Sequence, residues 1–166
     1  KNMDFINKTL ENFSVFANLT YSYSKVKLAT TTAGGQASSV NRPLQGQSPY
    51  LANLGLQYNS KVDGWSGSAL FNRIGQRLSL VGNQDFPDIY ERPRNQLDFQ
   101  VAKKVMKNKG EVKLTWADLL NNAYYFYENV DSKKAYSGGS DRLFNSYKPG
   151  STITVSFTYD FIIGKK

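Results

Sequence analysis

The sequence predicts an all-β chain: about six antiparallel strands of an up-and-down sheet, forming part of the wall of a larger transmembrane β-barrel. Three observations lead there. The stretch Ser151-Thr152-Ile153-Thr154-Val155-Ser156-Phe157-Thr158-Tyr159-Asp160-Phe161 alternates without an error, apolar or aromatic at odd positions from Ile153 and hydroxyl-bearing or acidic at even ones. That is the signature of a strand with two unlike faces. Five further segments carry the same period, and the connections between the six run long, short, long, short, long. Such sorting puts long loops at one end and short turns at the other, as an up-and-down sheet across a membrane requires. Finally, single-chain outer-membrane barrels start at about 8 strands, so six form only part of a wall.

In chain order, Met3-Asp4-Phe5-Ile6 and the polar Asn7-Lys8-Thr9 read as the tail of an earlier strand and its link onward. The first complete strand is expected over about 12–27. Phe13, Val15, Ala17, Leu19, Tyr21 and Tyr23 line one face, Ser14, Asn18, Thr20, Ser22 and Ser24 the other, and Phe16 breaks the pattern. Small and turn-forming residues make 28–48 a loop. A strand over 49–59 follows, with Tyr50, Ala52, Leu54, Leu56 and Tyr58 on its apolar face. The short Ser60-Lys61-Val62-Asp63-Gly64 carries the Asp-Gly hairpin signal. The next strand, 65–73, places Trp65, Gly67, Ala69 and Phe71 together, with Leu70 the exception; 74–94 reads as a second long loop. The strand over 95–105 sets Leu97, Phe99, Val101 and Val105 on one side, with Lys103 the exception, and a tight turn over 106–110 leads to a strand over 111–117 bearing Val112, Leu114 and Trp116. The third long segment, 118–149, contains Tyr124-Tyr125-Phe126-Tyr127, which extends the preceding strand or forms a short helix; periodicity does not decide. The final strand spans 151–161, and a tail, 162–166, closes the chain.

Eleven residues at about 3.3 Å each span about 36 Å, which at a tilt of about 45° covers the apolar band of an outer-membrane barrel, about 25 Å. The apolar faces of the segments 12–27, 49–59, 65–73 and 151–161 carry almost no charge. A Lys or Arg there at mid-bilayer would cost about 2–4 kcal/mol. The apolar side is therefore expected to face hydrocarbon, and the Ser, Thr, Asn and Gln side a wet interior. The alternative is one sheet of a soluble β-sandwich, a ligand- or carbohydrate-binding module with the apolar side packed inward. A third reading is a barrel fragment held as partner or substrate in a larger outer-membrane complex.

Composition narrows the function classes. With no Cys and no His among 166 residues, disulfides, thiol catalysis and imidazole bases or ligands are excluded. The net charge of +8 comes without a long basic run, so solvated loops and attraction to anionic headgroups explain it and no nucleic-acid partner is expected. The sequence begins at Lys1, without an initiator Met or signal peptide. The expectation is a removed targeting segment or a piece of a longer mature chain.

Four segments also carry a family likeness: Arg42-Pro43-Leu44-Gln45-Gly46-Gln47-Ser48-Pro49-Tyr50; Tyr90-Glu91-Arg92-Pro93-Arg94 ahead of Leu97-Asp98; Leu119-Leu120-Asn121-Asn122 before an aromatic cluster; and Tyr147-Lys148-Pro149-Gly150 before the last strand. With them the chain resembles, over nearly its whole length, the C-terminal end of TonB-dependent outer-membrane receptors of the Bacteroidetes type. The resemblance implies barrels of about 22 strands with an N-terminal plug, importing a nutrient such as a glycan, siderophore or peptide across the outer membrane of a Gram-negative cell. It implies that the six strands here are the last six and that the three long loops lie outside the cell. The implied partners are the rest of the barrel and the plug, outer-membrane lipid, TonB through the missing N-terminal part, the barrel-assembly machinery and a surface lipoprotein. The final strand resembles the assembly signal, with Phe157, Tyr159 and Phe161 as its aromatic end; the family stops at the terminal aromatic, whereas this chain continues to Lys166.

Candidate sites are few. Tyr21, Tyr23, Tyr50, Tyr58, Trp65 and Trp116 are expected at the membrane–water interfaces. Asp85, Asp88 and Glu91 share one loop and suit a Ca²⁺ ion or a sugar, against the simpler reading of a solvated loop. Tyr124 to Tyr127 suit ligand stacking, against headgroup anchoring or loop packing. Arg73 and Arg77 are candidates to line the interior, against a wall salt bridge. Asn7-Lys8-Thr9 and Asn18-Leu19-Thr20 match the glycosylation pattern by chance. No catalytic residue, resident metal or cofactor is assigned, and the chain is expected to be non-enzymatic.

Overall fold

The computed structural model describes residues 10–27, 41–83, 85–131, 133 and 135–161. The fragment 3–6, the sequon 7–9, most of the 28–48 connection and the tail 162–166 lie outside the described residues. The described chain is all-β, and no helix in it is long and apolar enough to cross a membrane.

Six strands form the main sheet: β1 (Phe13–Tyr21), β4 (Tyr50–Asn59), β5 (Trp65–Ile74), β8 (Arg94–Val105), β9 (Gly110–Ala117) and β12 (Thr152–Tyr159). They lie in the order β1-β4-β5-β8-β9-β12, every neighbouring pair antiparallel. Directly opposed residues share a face, so the register can be followed as rows across the sheet. One row runs Val15, Leu56, Ala69, Phe99, Trp116, Ile153; the parallel row on the other face runs Ser14, Gln57, Ser68, Gln100, Thr115, Thr154. The alternation seen in single strands thus adds up to one apolar and one polar face. The apolar face carries no second layer among the described residues: Val15 is 69% exposed, Leu19 77%, Ile153 59% and Val155 70%.

Two of the apolar residues on the polar face, Phe16 and Leu70, fall in one row. Phe16 stands opposite Gly55, and Gly55 opposite Leu70. The Phe16 ring lies across Gly55 so closely that a Cβ there would sit 2.0 Å from Cζ. The aromatic ring covers backbone that glycine leaves bare, a pairing that helps pin register. Lys103, the break on the apolar face, stands opposite Trp65 at the short-turn end. Its ammonium lies 4.7 Å from the indole centroid and donates to the Asp63 carbonyl. The stem lies along apolar surface while the charge reaches the turn.

The long connections depart from expectation. Two of them fold into a second, four-stranded sheet made of β6 (Arg77–Leu80), β7 (Ile89–Glu91), β10 (Tyr124–Glu128) and β11 (Arg142–Tyr147), in the order β11-β10-β7-β6. This order repeats that of β12, β9, β8 and β5, so each hairpin pairs again beyond the main sheet. Aromatic and β-branched residues such as Ile89, Tyr90 and Tyr124 to Tyr127 favour strand, which Gly and Pro nearby mask in a sequence reading. The buried apolar core is here: Leu78, Tyr90 and Tyr127 share a face, and Tyr127 and Leu78 are fully buried. Burial, with Asp88 adding a smaller contribution, raises the Tyr90 phenol to about 12. The expected single strand 12–27 is also interrupted. β1 ends at Tyr21, opposite Tyr50, where Pro49 has no N–H to return a ladder bond; the chain resumes as β2 (Val26–Lys27), paired with β3 (Asn41–Arg42).

Met106, Lys107 and Asn108 all have positive φ, 53°, 57° and 67°. A left-handed residue other than Gly costs about 1–2 kcal/mol. Lys107→Gly is therefore expected to stabilise the β8–β9 hairpin by about 1 kcal/mol, read as a higher urea midpoint of the folded protein.

Candidate functional site

Where a strand leaves a sheet its backbone groups lose their partners, and side chains must supply them. At the boundary between the two sheets this is done by the segments the sequence singled out. Arg94 lies on the polar face at the start of β8 and is 9% exposed. It pairs with Asp118, donates to the Asn122 carbonyl at 3.1 Å and to the Tyr124 hydroxyl at 3.2 Å, and stacks 4.3 Å from the Tyr124 ring centroid. Asp118 and Asn121 take φ of 52° and 44°, which turns 118–123 out of line with β9. Asp98 holds that turn by accepting from the Asp118 N–H at 2.8 Å, Asn122 donates to the Asn95 carbonyl at 3.1 Å, and Asn121 accepts from the Gly150 N–H at 3.1 Å. Three of the four family-like segments, around Arg94, Leu119 to Asn122 and Gly150, therefore meet at one junction.

The fourth segment builds the other junction. The Gly46 N–H donates to the Leu78 carbonyl at 2.8 Å and the Gln45 amide to the Ser79 carbonyl at 2.8 Å, so 44–47 covers the free edge of β6. Leu44 N–H reaches Ser24 Oγ at 3.0 Å, and the Gln47 amide donates to Ser22 Oγ. Gly75 permits the closeness, since a Cβ on it would lie 2.7 Å from the Tyr50 ring and 2.9 Å from Ser48 Oγ. Between this segment, the end of β1 and the β5–β6 passage is a cavity of about 350 Å³, a size typical of small-molecule sites. Tyr21, Tyr23 and Tyr90 give it aromatic walls; Gln47, Gln76 and Arg77 give it polar groups. The Gln47 Oε1 and Gln76 Nε2 atoms are buried with no hydrogen-bond partner among the described residues.

The other sequence candidates are placed as follows. Asp85, Asp88 and Glu91 do not converge, and no group of carboxylates able to hold a metal ion occurs among the described residues. Glu91 is buried and pairs with Arg77 at 2.7 Å across the β6–β7 ladder, Asp88 accepts from the Gly82 N–H at 2.8 Å, and the Asp85 backbone N–H donates to Asn83 Oδ1 in the turn at 2.9 Å. Arg77 thus makes a salt bridge, as the plainer reading had it. Arg73 corrects both readings: its register places it on the apolar face beside Ala52, where it donates to the Tyr50 hydroxyl at 3.2 Å and to Asn95 Oδ1 at 2.7 Å. Tyr124 to Tyr127 pack the extension, Tyr124 stacking on Tyr147 and Tyr127 meeting Tyr136 edge-on.

Tyr21, Tyr50 and Trp116 lie at strand ends towards the long connections, Tyr58 and Trp65 at ends towards the short turns. Tyr23 sits beyond β1 and borders the cavity. Phe157 and Tyr159 lie on β12, while Phe161 lies past its end with its ring 4.7 Å from that of Tyr159. Asn18 lies on the polar face of β1 opposite Asn53. Sequence reasoning missed Gln47 and Gln76 at the cavity and the Arg94–Asp118 pair; no periodicity marks them, because each lies at a break in the pattern.

No protein-family model, curated protein or solved structure matches the chain.

The Arg94–Asp118 pair is nearly out of water, with side chains 9% and 11% exposed. Removing one member of such a pair leaves a buried charge and costs about 3–5 kcal/mol. Arg94→Met is expected to lower the urea midpoint far more than the double variant Arg94→Met with Asp118→Leu, giving a positive coupling in a double-mutant cycle.

Proposed function

We propose that this chain is the C-terminal wall of an outer-membrane β-barrel transporter of the TonB-dependent kind, with the main sheet in the bilayer and the second sheet beyond its outer surface. The observation that carries the reading is the uncovered apolar face, continuous over six strands and backed by a face of mostly Ser, Thr, Asn and Gln. A soluble sandwich would bury that face under a second layer; hydrocarbon is the environment in which it needs none.

Three features support the same reading. The charges on the apolar face, Arg73 and Lys103, both fall at strand ends, where lysine and arginine reach polar groups instead of lipid tails. Long connections share one end of the sheet and build a structured extension there, while tight turns share the other. Among the described residues, β1 and β12 each lack a neighbour on one side, and unpaired strand edges in lipid cost several kcal/mol per group. Further strands therefore close the wall on both sides. In this role the chain is not an enzyme: it encloses and shapes a polar path, and plug, TonB contact and energy input belong to other parts of the assembly. The family likeness contributes the import function, and the wall geometry is compatible with it.

The assignment of faces has a direct test. In the full barrel, Phe157→Arg sets a charge into hydrocarbon at about 2–4 kcal/mol, whereas Ser156→Lys sets one into water. Phe157→Arg is expected to abolish the heat-modifiable folded band on semi-native gels and Ser156→Lys to leave it intact. Equal behaviour of the two variants would sink the facing and with it the membrane reading.

A further inference from the structure

We infer that Arg73, flanked by Tyr50 and Asn95, holds the phosphate of an anionic membrane lipid at the long-connection end of the apolar face. The inference deepens the membrane reading by naming a lipid site on the wall, and rests on that reading for what the face meets.

Charge comes first. Arg73 stands on the apolar face of β5, with Ala52 and Asn95 directly opposite on the two neighbouring strands. No carboxylate pairs with it among the described residues, whereas Arg77 is neutralised by Glu91. Its partners are neutral: the Tyr50 hydroxyl accepts from Nε at 3.2 Å and Asn95 Oδ1 from Nη1 at 2.7 Å. These bonds fix the guanidinium plane but leave its charge uncompensated, on a face that disfavours a lone charge. Lys103, the other cation on this face, instead lies over the Trp65 ring and reaches the Asp63 carbonyl. Arg73 Nη2 makes no bond among the described residues and is not buried, so its N–H groups remain for a ligand. The Tyr50 hydroxyl and the Asn95 amide each serve Arg73 through oxygen, which leaves their own protons to donate. A cation ringed by donors, with no carboxylate, selects anionic oxygen, and phosphate matches the guanidinium fork.

Height on the sheet points to a lipid as the source of that phosphate. Trp65 and Lys103 oppose each other at the short-turn end, and Arg73 lies at the other end of the same strand, β5. Its offset from Trp65, at about 3.3 Å per residue and a tilt of about 35–45°, is roughly 19–22 Å, near the far margin of an apolar band of about 25 Å. The long arginine stem covers the remaining distance to the headgroup level. Tyr21 and Tyr50, opposite each other one step beyond, are the residues suited to that level. Towards the short-turn end, Leu54 and Leu56 are exposed on the same face and offer a surface for acyl chains. The occupant therefore carries a phosphate above and hydrocarbon below, which free phosphate does not.

The test uses the full barrel in a non-ionic detergent, mixed with phosphatidylglycerol, phosphatidylcholine or inorganic phosphate, with bound molecules counted by native mass spectrometry. The first phosphatidylglycerol is expected to bind at least about tenfold more tightly than phosphatidylcholine, and Arg73→Gln to remove that preference. Asn95→Asp keeps the arginine and the acceptor at Nη1 but supplies a carboxylate, so it is expected to remove the preference with the heat-modifiable folded band intact. If Arg73→Gln loses that band, Asn95→Asp decides. Lys61→Gln, which removes a cation from the β4–β5 turn, is expected to leave the preference unchanged. A wild-type protein indifferent to lipid charge, a preference that survives Asn95→Asp, an equal loss on Lys61→Gln, or inorganic phosphate binding as tightly as the lipid overturns the proposal. Those failures leave the behaviour of the Phe157 and Ser156 variants untouched, so the lipid site and the wall stand or fall separately.

Discussion

Everything in this protein depends on one continuous antiparallel register across six strands. A slip of a single residue in any strand would turn its apolar side chains to the polar face and its hydroxyls to the apolar one. Turn length and side-chain pairing both guard against that slip. Phe16 over Gly55 fits only when β1 and β4 are in their observed alignment, and Lys103 on Trp65 fits only when β5 and β8 are. The residues that look like errors in the alternation are therefore markers of alignment.

The two sheets hold together by different means. The main sheet has backbone ladders and cross-strand pairs but almost no interior, because a single layer leaves both faces open. The extension has a small true core in Leu78, Tyr90 and Tyr127, and Tyr136, in the loop after β10, meets the Tyr127 ring edge-on. That loop is held by Asp141, whose carboxylate accepts from the Val130 N–H at 3.0 Å and the Ser137 N–H at 2.7 Å. The extension thus buries part of its own apolar surface, whereas the main sheet leaves Leu, Val and Phe exposed. This division of stability matches the proposed placement of one part in the bilayer and the other outside it.

The boundary between the sheets is where chemistry accumulates, for a simple reason. A strand crossing from one sheet to the next has backbone and side-chain groups that neither ladder uses. Most are taken up locally, by Arg94, Asp118, Asn121 and Asn122 on one side and by Gln45, Gly46 and Ser24 on the other. Gln47 Oε1 and Gln76 Nε2, on residues that line the cavity, and Asp118 Oδ1 at the other junction are left without a hydrogen-bond partner among the described residues.

The main sheet was legible in the sequence because strand alternation is local: each segment states its own two faces, and connection lengths state which ends lie together. Six strands, their order and the faces of Val15, Leu56, Phe99 and Ile153 follow from that alone. The extension was not legible, because β6, β7, β10 and β11 are short, sit among Gly, Pro and polar residues, and gain strand character from pairing with one another. Nor could the sequence tell that Arg73 stands on the apolar face, that Asp85, Asp88 and Glu91 part company, or that Gln47 and Gln76 face one cavity. Those facts are set by the tertiary structure, since they depend on which groups meet when strands leave their ladders, as Arg77 meets Glu91 and Gly150 meets Asn121.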